Sequence, residues 1–311
     1  MQNIIQSFQV NITEENKGTR LDLVLSATLE DYSRSFIHKL FESGNVEVNG
    51  TVCDSKKYKA FPGDTVTVNI PEPEMTEVSA EDIPINIVYE DDDMLVVDKP
   101  AGMVVHPAAG NSSGTLVNAL MYHCGDNLSS INGPIRRGIV HRTDKDTSGL
   151  LMVAKNDAAH RILSVQLAEH SVNRRYRAIV WNNIREDEGT IDTCIGRDPG
   201  NRMRNAVVTP DRPDARKAVT HFRVLERLGR FTFIEVKLET GRTHQIRVHM
   251  KYRGHPLLGD ELYGPVKNRH GAGRQMLHAG ILGFSHPSTG EYMEFESPIP
   301  EDMAKVLQKL R

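Results

Sequence analysis

The segment HRTDKD, residues 141–146, places five ionisable side chains between the apolar runs GIV and GLLMVA. Charged groups this close to a core are costly unless they are paired or used in chemistry. One interpretation is a solvated turn whose charges pair with one another. The other is a reactive loop, in which the carboxylate of Asp144 is the reacting group. Because both flanking runs are apolar, we predict that the loop joins two buried strands at a sheet edge facing a cleft.

A second segment could supply the cation that such a carboxylate needs. LETGRTHQIRVHM, residues 238–250, holds Arg242, His244, Arg247 and His249 at a predicted junction between a strand and a helix. A carboxylate in a dry pocket keeps its charge only beside a fixed cation, and arginine is a cation that does not deprotonate. The alternative is a basic helix on the protein surface.

The same segment does not favour a metal site. His244 and His249 are five residues apart, which places them off a common helix face, and no H-E-x-x-H motif accompanies them. The stretch GAGRQ, residues 271–275, lacks the preceding strand and the spacing of a phosphate-binding glycine loop. We therefore expect chemistry without a metal or a cofactor.

Two further motifs carry candidate site residues. Tyr176 lies on a predicted strand, NRRYRAIV, among three arginines. An aromatic ring in a basic stretch suits stacking on a nucleobase, although a half-buried strand tyrosine is an ordinary alternative. In VVDKPAGMVVHP, residues 96–107, Lys99 and His106 each precede a proline at the end of an apolar run. They either position a substrate or mark two turns.

The distribution of charge separates the two ends of the chain. Residues 1–98 carry 7 Lys and Arg against 19 Asp and Glu, whereas residues 99–311 carry 31 against 22. The second part therefore has a net charge of +9 although the whole chain has −3. A basic face that meets a polyanion and a chance imbalance on a solvated surface both fit this pattern.

Cysteine usage and hydropathy indicate a cellular compartment. The three cysteines, Cys53, Cys124 and Cys194, lie far apart and form no C-x-x-C pair, which favours a reducing environment. No apolar stretch is long enough for a membrane span, and the N-terminal residues do not resemble a signal peptide. We expect a cytoplasmic protein without a membrane partner, and a monomer.

The N-terminal part predicts a small module. RLDLVLSATLED and SRSFIHKLFESG show helical spacing of apolar residues, Asn49-Gly50 predicts a hairpin turn, and DTVTVNI alternates as a strand does. The following Pro- and Glu-rich stretch predicts a linker. We therefore divide the chain into a small module over residues 1–75, a linker over 76–85 and a large domain over 86–311.

The large domain alternates hairpins with helices. Two strands around an acidic turn (INIVYEDDDMLVVDKP) come first, followed by the helices GTLVNALMYHCG and NDAAHRILSVQLAEH. Further strands precede a helix stopped by Gly254, and Pro300 opens a C-terminal helix. The basic stretch 196–218 predicts a long loop or a weak hairpin. The expected fold class is α+β, with a mixed, mostly antiparallel sheet.

HRTDKDTSGLLMVAK, RRYRA, ETGRTHQIRVHM and VVDKPAGMVVHP resemble the motifs of the RluA-type pseudouridine synthases, in that family's order, over about residues 83–300. The N-terminal SRSFIHKLFESGNVEVNG resembles the S4-like RNA-binding module that precedes this catalytic domain. The resemblance implies isomerisation of uridine to pseudouridine in RNA, on a mixed sheet with a central cleft. The resemblance is greatest to members that act on large-subunit ribosomal RNA. It therefore implies this RNA, free or in a pre-ribosomal particle, as the partner.

The resemblance also implies residue roles. Asp144 corresponds to the catalytic aspartate, Tyr176 to the base-stacking tyrosine, Arg242 to the arginine that pairs with the aspartate, and Arg142 to the residue that fills the space of the flipped nucleotide. The further expected substrate contacts are Lys99, His106 and Arg247. The expected RNA contacts of the N-terminal module are Arg20, Arg34, Lys39 and Lys56.

One position departs from the family pattern. Thr143 stands where the family usually has leucine, so a hydroxyl group replaces an apolar anchor beside the reactive carboxylate. Two other functions stay open at this point. The chain could be an RNA-binding or ribosome-assembly factor that has lost activity, or a glycoside hydrolase that uses Asp144 with a second carboxylate.

Overall fold

The computed structural model describes residues 4–29, 32, 34–71, 78–108, 111–201, 204–265 and 270–311. The chain divides into two compact units, Met1–Thr76 and Glu77–Arg311. Of the helices that the structure describes, none has the length and apolar character needed to cross a membrane.

The first unit packs two helices on a four-stranded sheet. Its elements are β1 (Ile4–Asn11), α1 (Leu21–Thr28), α2 (Arg34–Glu42), β2 (Val46–Val48), β3 (Thr51–Val52) and β4 (Thr65–Pro71). The strand order is β1-β4-β2-β3. Asn49 and Gly50 both have positive φ, 52° and 77°, as the turn of a two-residue hairpin requires.

Strand β1 is absent from the sequence prediction. It pairs with β4 along its length, yet of its described side chains only Phe8 and Val10 pack against the core of the unit. An edge strand that buries so few side chains has a weak apolar pattern, and this explains why alternation alone did not reveal it.

The second unit is a ten-stranded sheet with helices on its faces. Its strands are β5 (Asn86–Glu90), β6 (Met94–Lys99), β7 (Ser148–Ala154), β8 (Asn173–Trp181), β9 (Glu188–Arg197), β10 (Asn205–Val208), β11 (Arg216–Leu228), β12 (Phe231–Leu238), β13 (Leu277–Ser285) and β14 (Tyr292–Glu296). Its helices are α3 (Leu116–Cys124), α4 (Asp157–Ala168), α5 (Gln245–Tyr252) and α6 (Glu301–Leu310).

The strand order is β10-β9-β11-β12-β8-β13-β7-β6-β5, with β14 beside β13. Within the described residues β7 and β13 pair in parallel, and the other neighbouring strands are antiparallel. The prediction of an α+β fold with a mixed, mostly antiparallel sheet is confirmed. The basic stretch 196–218 contains the hairpin of β9 and β10 and the start of β11.

Strand β7 is the rigid element beside the charged loop. Every one of its residues is buried, because alternate side chains pack on opposite faces of the sheet. Leu151 joins the cluster that contains Leu116 of α3, whereas Leu150 joins the cluster that contains Leu163 of α4. At Gly149, with φ 113°, a Cβ would lie 2.3 Å from the carbonyl oxygen of Ala279 on β13, so only glycine allows this strand pairing.

Two sequence predictions need correction here. The run before the charged loop is not a strand, since Ile139 forms only an isolated bridge with Val153. Of the predicted linker over 76–85, residues 76 and 77 lie outside the described part of the chain. Residues 78–85 are fixed to the second unit: the Asn118 amide donates to the Ser79 carbonyl, and the Glu81 N–H donates to the Asn118 carbonyl. The second unit therefore begins before residue 86.

Candidate active site

A cleft of about 610 Å³ opens beside the charged loop. Its walls come from residues 140–144 with Thr147, the end of α4, strand β8, the segment that joins β12 to α5, and Leu277 of β13. Asp144, Tyr176 and Arg247 line this cleft together, although they come from separate motifs. The structure therefore brings three sequence motifs into one site.

The ion pair of the cleft joins Asp144 to Arg247. Arg247 Nη1 donates to Asp144 Oδ2 at 2.9 Å, while Nε and Nη2 donate to the two carboxylate oxygens of Asp260 at 2.7 and 2.9 Å. Burial opposes the charge of the guanidinium, but the two carboxylates outweigh it and raise the pKa of Arg247. Arg247 also lies over the ring of Tyr263, with Cζ 5.1 Å from the ring centre. The cation beside Asp144 is thus fixed from three sides.

The prediction that Arg242 is the partner of Asp144 is wrong. Arg242 Nε donates to the Lys217 carbonyl at 2.9 Å, and its guanidinium is exposed at the rim of the cleft. Arg242 precedes α5, whereas Arg247 lies within the helix on the face that packs on the sheet. Arg247, which was predicted as a substrate contact, is therefore the ion-pair partner of Asp144, and Arg242 lines the cleft without contacting that carboxylate.

Asp260 escaped the sequence analysis. Its carboxylate is fully buried, pairs with Arg247, and accepts the backbone N–H groups of Leu262 and Tyr263. It lies in HPLLGDELYGP, which has no repeated spacing or charge cluster. No signal in the sequence connected it to the cleft.

Lys99 binds backbone carbonyl groups of the charged loop and of the turn after β6. Its ammonium group donates to the carbonyls of Pro100, Met103 and Lys145 at 2.8, 3.0 and 3.1 Å, and the side chain is 1% exposed. Burial lowers the pKa of Lys99 to about 8. Because its three N–H donors are all used, the prediction that Lys99 contacts the substrate is wrong; it ties the turn after β6 to the charged loop.

His106 contacts Arg142 rather than standing alone. Its Nδ1 lies 3.1 Å from the Pro107 carbonyl, which can only accept, so Nδ1 carries the proton. Nε2 is then free to accept from Arg142 Nη1 at 3.4 Å. Burial and the Arg142 charge lower the pKa of His106, which favours this neutral form. The histidine therefore orients the guanidinium of Arg142.

Three further residues of the cleft, His141, Tyr176 and Thr143, are uncharged. His141 is half-buried, and its Nε2 accepts the Met152 N–H at 3.1 Å; the surrounding burial lowers the pKa of His141 to about 3. Tyr176 is 7% exposed, and burial raises the pKa of its phenol. Thr143 is buried and its hydroxyl has no hydrogen-bond partner among the described residues. The departure from leucine at this position thus adds no local hydrogen bond.

His244 begins helix α5 in a left-handed conformation, with φ 59°. Tyr263 Oη accepts the Asn205 N–H at 2.9 Å, so its own hydrogen is directed to His244 Nδ1 at 3.0 Å. The proton of His244 is then on Nε2, which lies 3.8 Å from Asp144 Oδ1. Asp144 therefore has a cation at one carboxylate oxygen and an N–H group near the other.

In the first unit, Arg20 and Arg34 converge on one buried carboxylate. Both guanidinium groups donate to Asp22, and His38 Nε2 lies 2.8 Å from the same carboxylate. Burial opposes the charge, but these hydrogen bonds outweigh it and hold the pKa of Asp22 far below its ordinary value. The two arginine side chains are 39% and 49% exposed, so each keeps an outer face for a ligand.

The two lysines predicted to contact RNA differ in their surroundings. Lys56 Nζ lies 3.4 Å from Glu42 in an exposed ion pair, which is worth little in water. Lys39 lies in the last turn of α2 and forms no ion pair with a described residue. Both stay candidate RNA contacts.

Two groups of described residues bring three possible metal ligands within 4.8 Å: Glu90, His123 and Cys124, and Asp91, Asp93 and His286. Neither group is among the residues that line the cleft. Lys155 already neutralises Glu90, and the Asp91 carboxylate accepts from Tyr89 and two backbone N–H groups. The surroundings of both groups are those of structural turns.

The fold and the buried ion pair define an enzyme site in a mixed sheet, with a separate small module before it. A family model described as RNA pseudouridylate synthase matches residues 93–252, and the S4 domain model matches residues 19–66. The chain belongs to the RNA pseudouridine synthase family, a family of RNA isomerases. The resemblance found in the motifs is confirmed.

Curated relatives and solved structures agree with this assignment. The chain is 56% identical over 305 residues to "Uncharacterized RNA pseudouridine synthase YlyB" of Bacillus subtilis, covering 97% of this chain and 98% of the relative. It is 48% identical over 310 residues to "Ribosomal large subunit pseudouridine synthase D" of Zymomonas mobilis, covering 97% of each. The solved structure of human RNA pseudouridylate synthase domain containing 1 is 27% identical, with a TM-score of 0.57, covering 77% of this chain and 97% of that one.

Proposed function

We propose that this enzyme isomerises specific uridines of large-subunit ribosomal RNA to pseudouridine, with Asp144 as the catalytic carboxylate. The observation that carries the proposal is the Asp144–Arg247 pair, a carboxylate at 2.9 Å from a fixed guanidinium inside the cleft. The name of the Zymomonas mobilis relative, and the same name of relatives in Neisseria meningitidis, supports the large-subunit RNA as substrate.

The chemistry suits a carboxylate in a closed pocket. The bond from C1′ to N1 of uridine breaks, the uracil turns, and C1′ is rejoined to C5, whose hydrogen then leaves. Asp144 can stabilise positive charge on the sugar, attack C1′ or take a proton from C2′. Arg247 stabilises the negative charge that each of these routes needs at the start. The cleft holds the uracil while it is detached.

The target base must leave its stack before it reaches Asp144, at a cost of a few kcal/mol. Arg142 is the candidate to fill the vacated space, and His106 orients its guanidinium. Tyr176 lines the same cleft as Asp144 and is the candidate to stack on the extruded base. Arg242, at the rim, is a further candidate contact.

The first unit supplies additional RNA contacts in this proposal. Arg20 and Arg34 present their outer faces while Asp22 holds their inner faces. Lys39 adds an unpaired cation on α2 among the described residues. Because the first part of the chain is acidic overall, these contacts act locally rather than through net charge.

The test is tritium release from large-subunit ribosomal RNA labelled at C5 of uridine, followed by mapping of pseudouridine. We expect release of tritium and pseudouridine at a small set of fixed positions, with free RNA and with pre-ribosomal particles compared side by side. Released uracil would instead identify a hydrolase. Binding without tritium release would identify a non-catalytic RNA-binding factor, and modification confined to other RNAs would contradict the substrate.

A further inference from the structure

Arg174 is a buried cation in the cleft that the chemistry above does not use. It lies on β8 two residues before Tyr176, and side chains two apart on a strand share one face. Both residues line the cleft, and Arg174 is 8% exposed. The reacting pocket therefore contains a second guanidinium besides that of Arg247.

The hydrogen bonds of Arg174 are incomplete. Nη2 donates to the Glu239 carbonyl at 3.1 Å. Nε is buried and has no acceptor among the residues that the structure describes. A guanidinium has five N–H donors, so most of this group's capacity is unused.

Arg174 also lacks a counter-ion. In the described part of the chain no carboxylate lies within 4 Å of it, whereas Arg247 in the same cleft has two. Burial lowers the pKa of Arg174, and no carboxylate of the described residues is among the groups that oppose this effect. In contrast, the carboxylates of Asp260 and Asp144 raise the pKa of Arg247. An unpaired buried charge costs several kcal/mol, so it is retained where a ligand supplies the missing charge.

The backbone beside Arg174 leaves space for such a ligand. Gly241 has an ordinary φ, so its conformation does not require glycine. A Cβ at that position would lie 2.9 Å from Arg174 Nη1. The absent side chain keeps the unused edge of the guanidinium open where residues 241–243 line the cleft.

We propose that Arg174 binds a phosphodiester oxygen of the RNA strand next to the flipped uridine. This rests on the proposed function, because RNA brings one permanent negative charge per nucleotide into the cleft. The planar fork of arginine matches two phosphate oxygens, and a charge-assisted pair is strongest in such a dry site. The detached uracil also carries negative charge, but only after the glycosidic bond has broken, so it does not offset the cost of the buried cation in the bound substrate.

The experiment combines two protein variants with RNA in which one phosphate is replaced by an uncharged methylphosphonate. Arg174→Gln removes the charge but keeps an amide donor for the Glu239 carbonyl, and Arg174→Lys keeps the charge without the fork. Arg175→Gln is the matched control, since Arg175 is the next residue on the opposite face and contacts Asn173 and Glu235. The probe is a stem-loop RNA around a uridine found by mapping, made with a methylphosphonate at either flanking phosphate.

For Arg174→Gln we expect RNA affinity to fall about tenfold or more and the salt slope of binding to decrease by about one, with kcat at saturation little changed. Arg174→Lys should recover part of the affinity, and Arg175→Gln should bind as the wild type does. One of the two methylphosphonates should weaken RNA binding by the wild type about as much as the Arg174→Gln substitution does. The same methylphosphonate should not weaken RNA binding by Arg174→Gln any further.

A fall in kcat alone, with no response to either methylphosphonate, would assign Arg174 to the departing uracil and overturn the proposal. Unchanged affinity in Arg174→Gln would do so as well. If that variant does not fold, the wild-type protein with the two methylphosphonates still decides, because no loss at either position contradicts a phosphate contact. Failure of the proposed function is separate: it would be absent tritium release from the unmodified RNA, whatever the binding data show.

Discussion

Asp260 holds Arg247 by two parallel hydrogen bonds of 2.7 and 2.9 Å, and this buried pair sets the position of the cation beside Asp144. Asp260 is fully buried and closes its own turn through the N–H groups of Leu262 and Tyr263. The guanidinium therefore has little freedom to follow Asp144. The position of the cation in the cleft thus depends on a residue that does not itself line the cleft.

Asp260→Asn should lower both stability and turnover. Removing one member of a buried ion pair typically costs about 3–5 kcal/mol, and a misplaced guanidinium should reduce turnover at least about tenfold. Denaturant unfolding and tritium release measure the two effects. The control is Asp214→Asn: Arg212 and Asp214 form a similar two-point pair, but on the surface, where water replaces the lost contact. Equal stability losses in the two variants would contradict the role of burial.

Asp144→Asn should abolish turnover and keep RNA binding within about tenfold, roughly 1.4 kcal/mol. The amide has the same shape but cannot supply negative charge, and Arg247 keeps its pair with Asp260. Tritium release and an RNA-binding assay measure the two properties. Asp146→Asn, the same change in the same loop, should retain most of the activity. Wild-type turnover in Asp144→Asn would refute the catalytic assignment.

The stability of the second unit should fall as the pH is lowered from about 6.5 to about 4. Burial lowers the pKa of His249 to about 4 and that of His141 to about 3, so below pH 6.5 the unfolded chain binds protons that the folded chain does not. Each such histidine contributes a slope of roughly 1 kcal/mol per pH unit.

The fluorescence of Trp181, the single tryptophan, reports unfolding of this unit. In His249→Gln the pH slope should be shallower, since the amide replaces the contacts to Thr193 and Thr220 without titrating. An identical slope in the variant would contradict this origin of the pH dependence.

Thr143→Val should leave the fold intact and stabilise it by up to about 1 kcal/mol, because it removes a buried hydroxyl that has no partner among the described residues. Turnover should stay close to that of the wild type. Thermal unfolding and tritium release check both expectations. A large loss of turnover with unchanged stability would instead identify the hydroxyl as a substrate contact.

Removal of residues 1–76 should weaken RNA binding about tenfold or more, because two linked RNA-binding units raise each other's effective concentration. The second unit has its own core, so its active site should survive. RNA affinity and the map of modified uridines are the measurements. An unchanged affinity and an unchanged map would show that the first unit does not guide binding.

Local patterns were sufficient for most elements. Helices α1 to α6 follow the spacing of apolar residues and their caps, such as Thr115 before α3 and Asn156 before α4. Strand β1 was missed because it buries few side chains, and the supposed strand before the charged loop was wrong because Ile139 makes a single bridge. Both errors concern pairing, which short apolar runs do not specify.

By itself the sequence determined the family, the α+β fold and the candidate residues Asp144, Tyr176 and Arg142, because motifs and apolar periodicity are local properties of the chain. Only the tertiary structure decided that Arg247 rather than Arg242 meets Asp144, across 103 residues, and that Asp260 holds it there. Two arginines five residues apart look alike in a sequence. Which of them is buried depends on the direction in which α5 packs on the sheet, and that direction is set by contacts between distant parts of the chain.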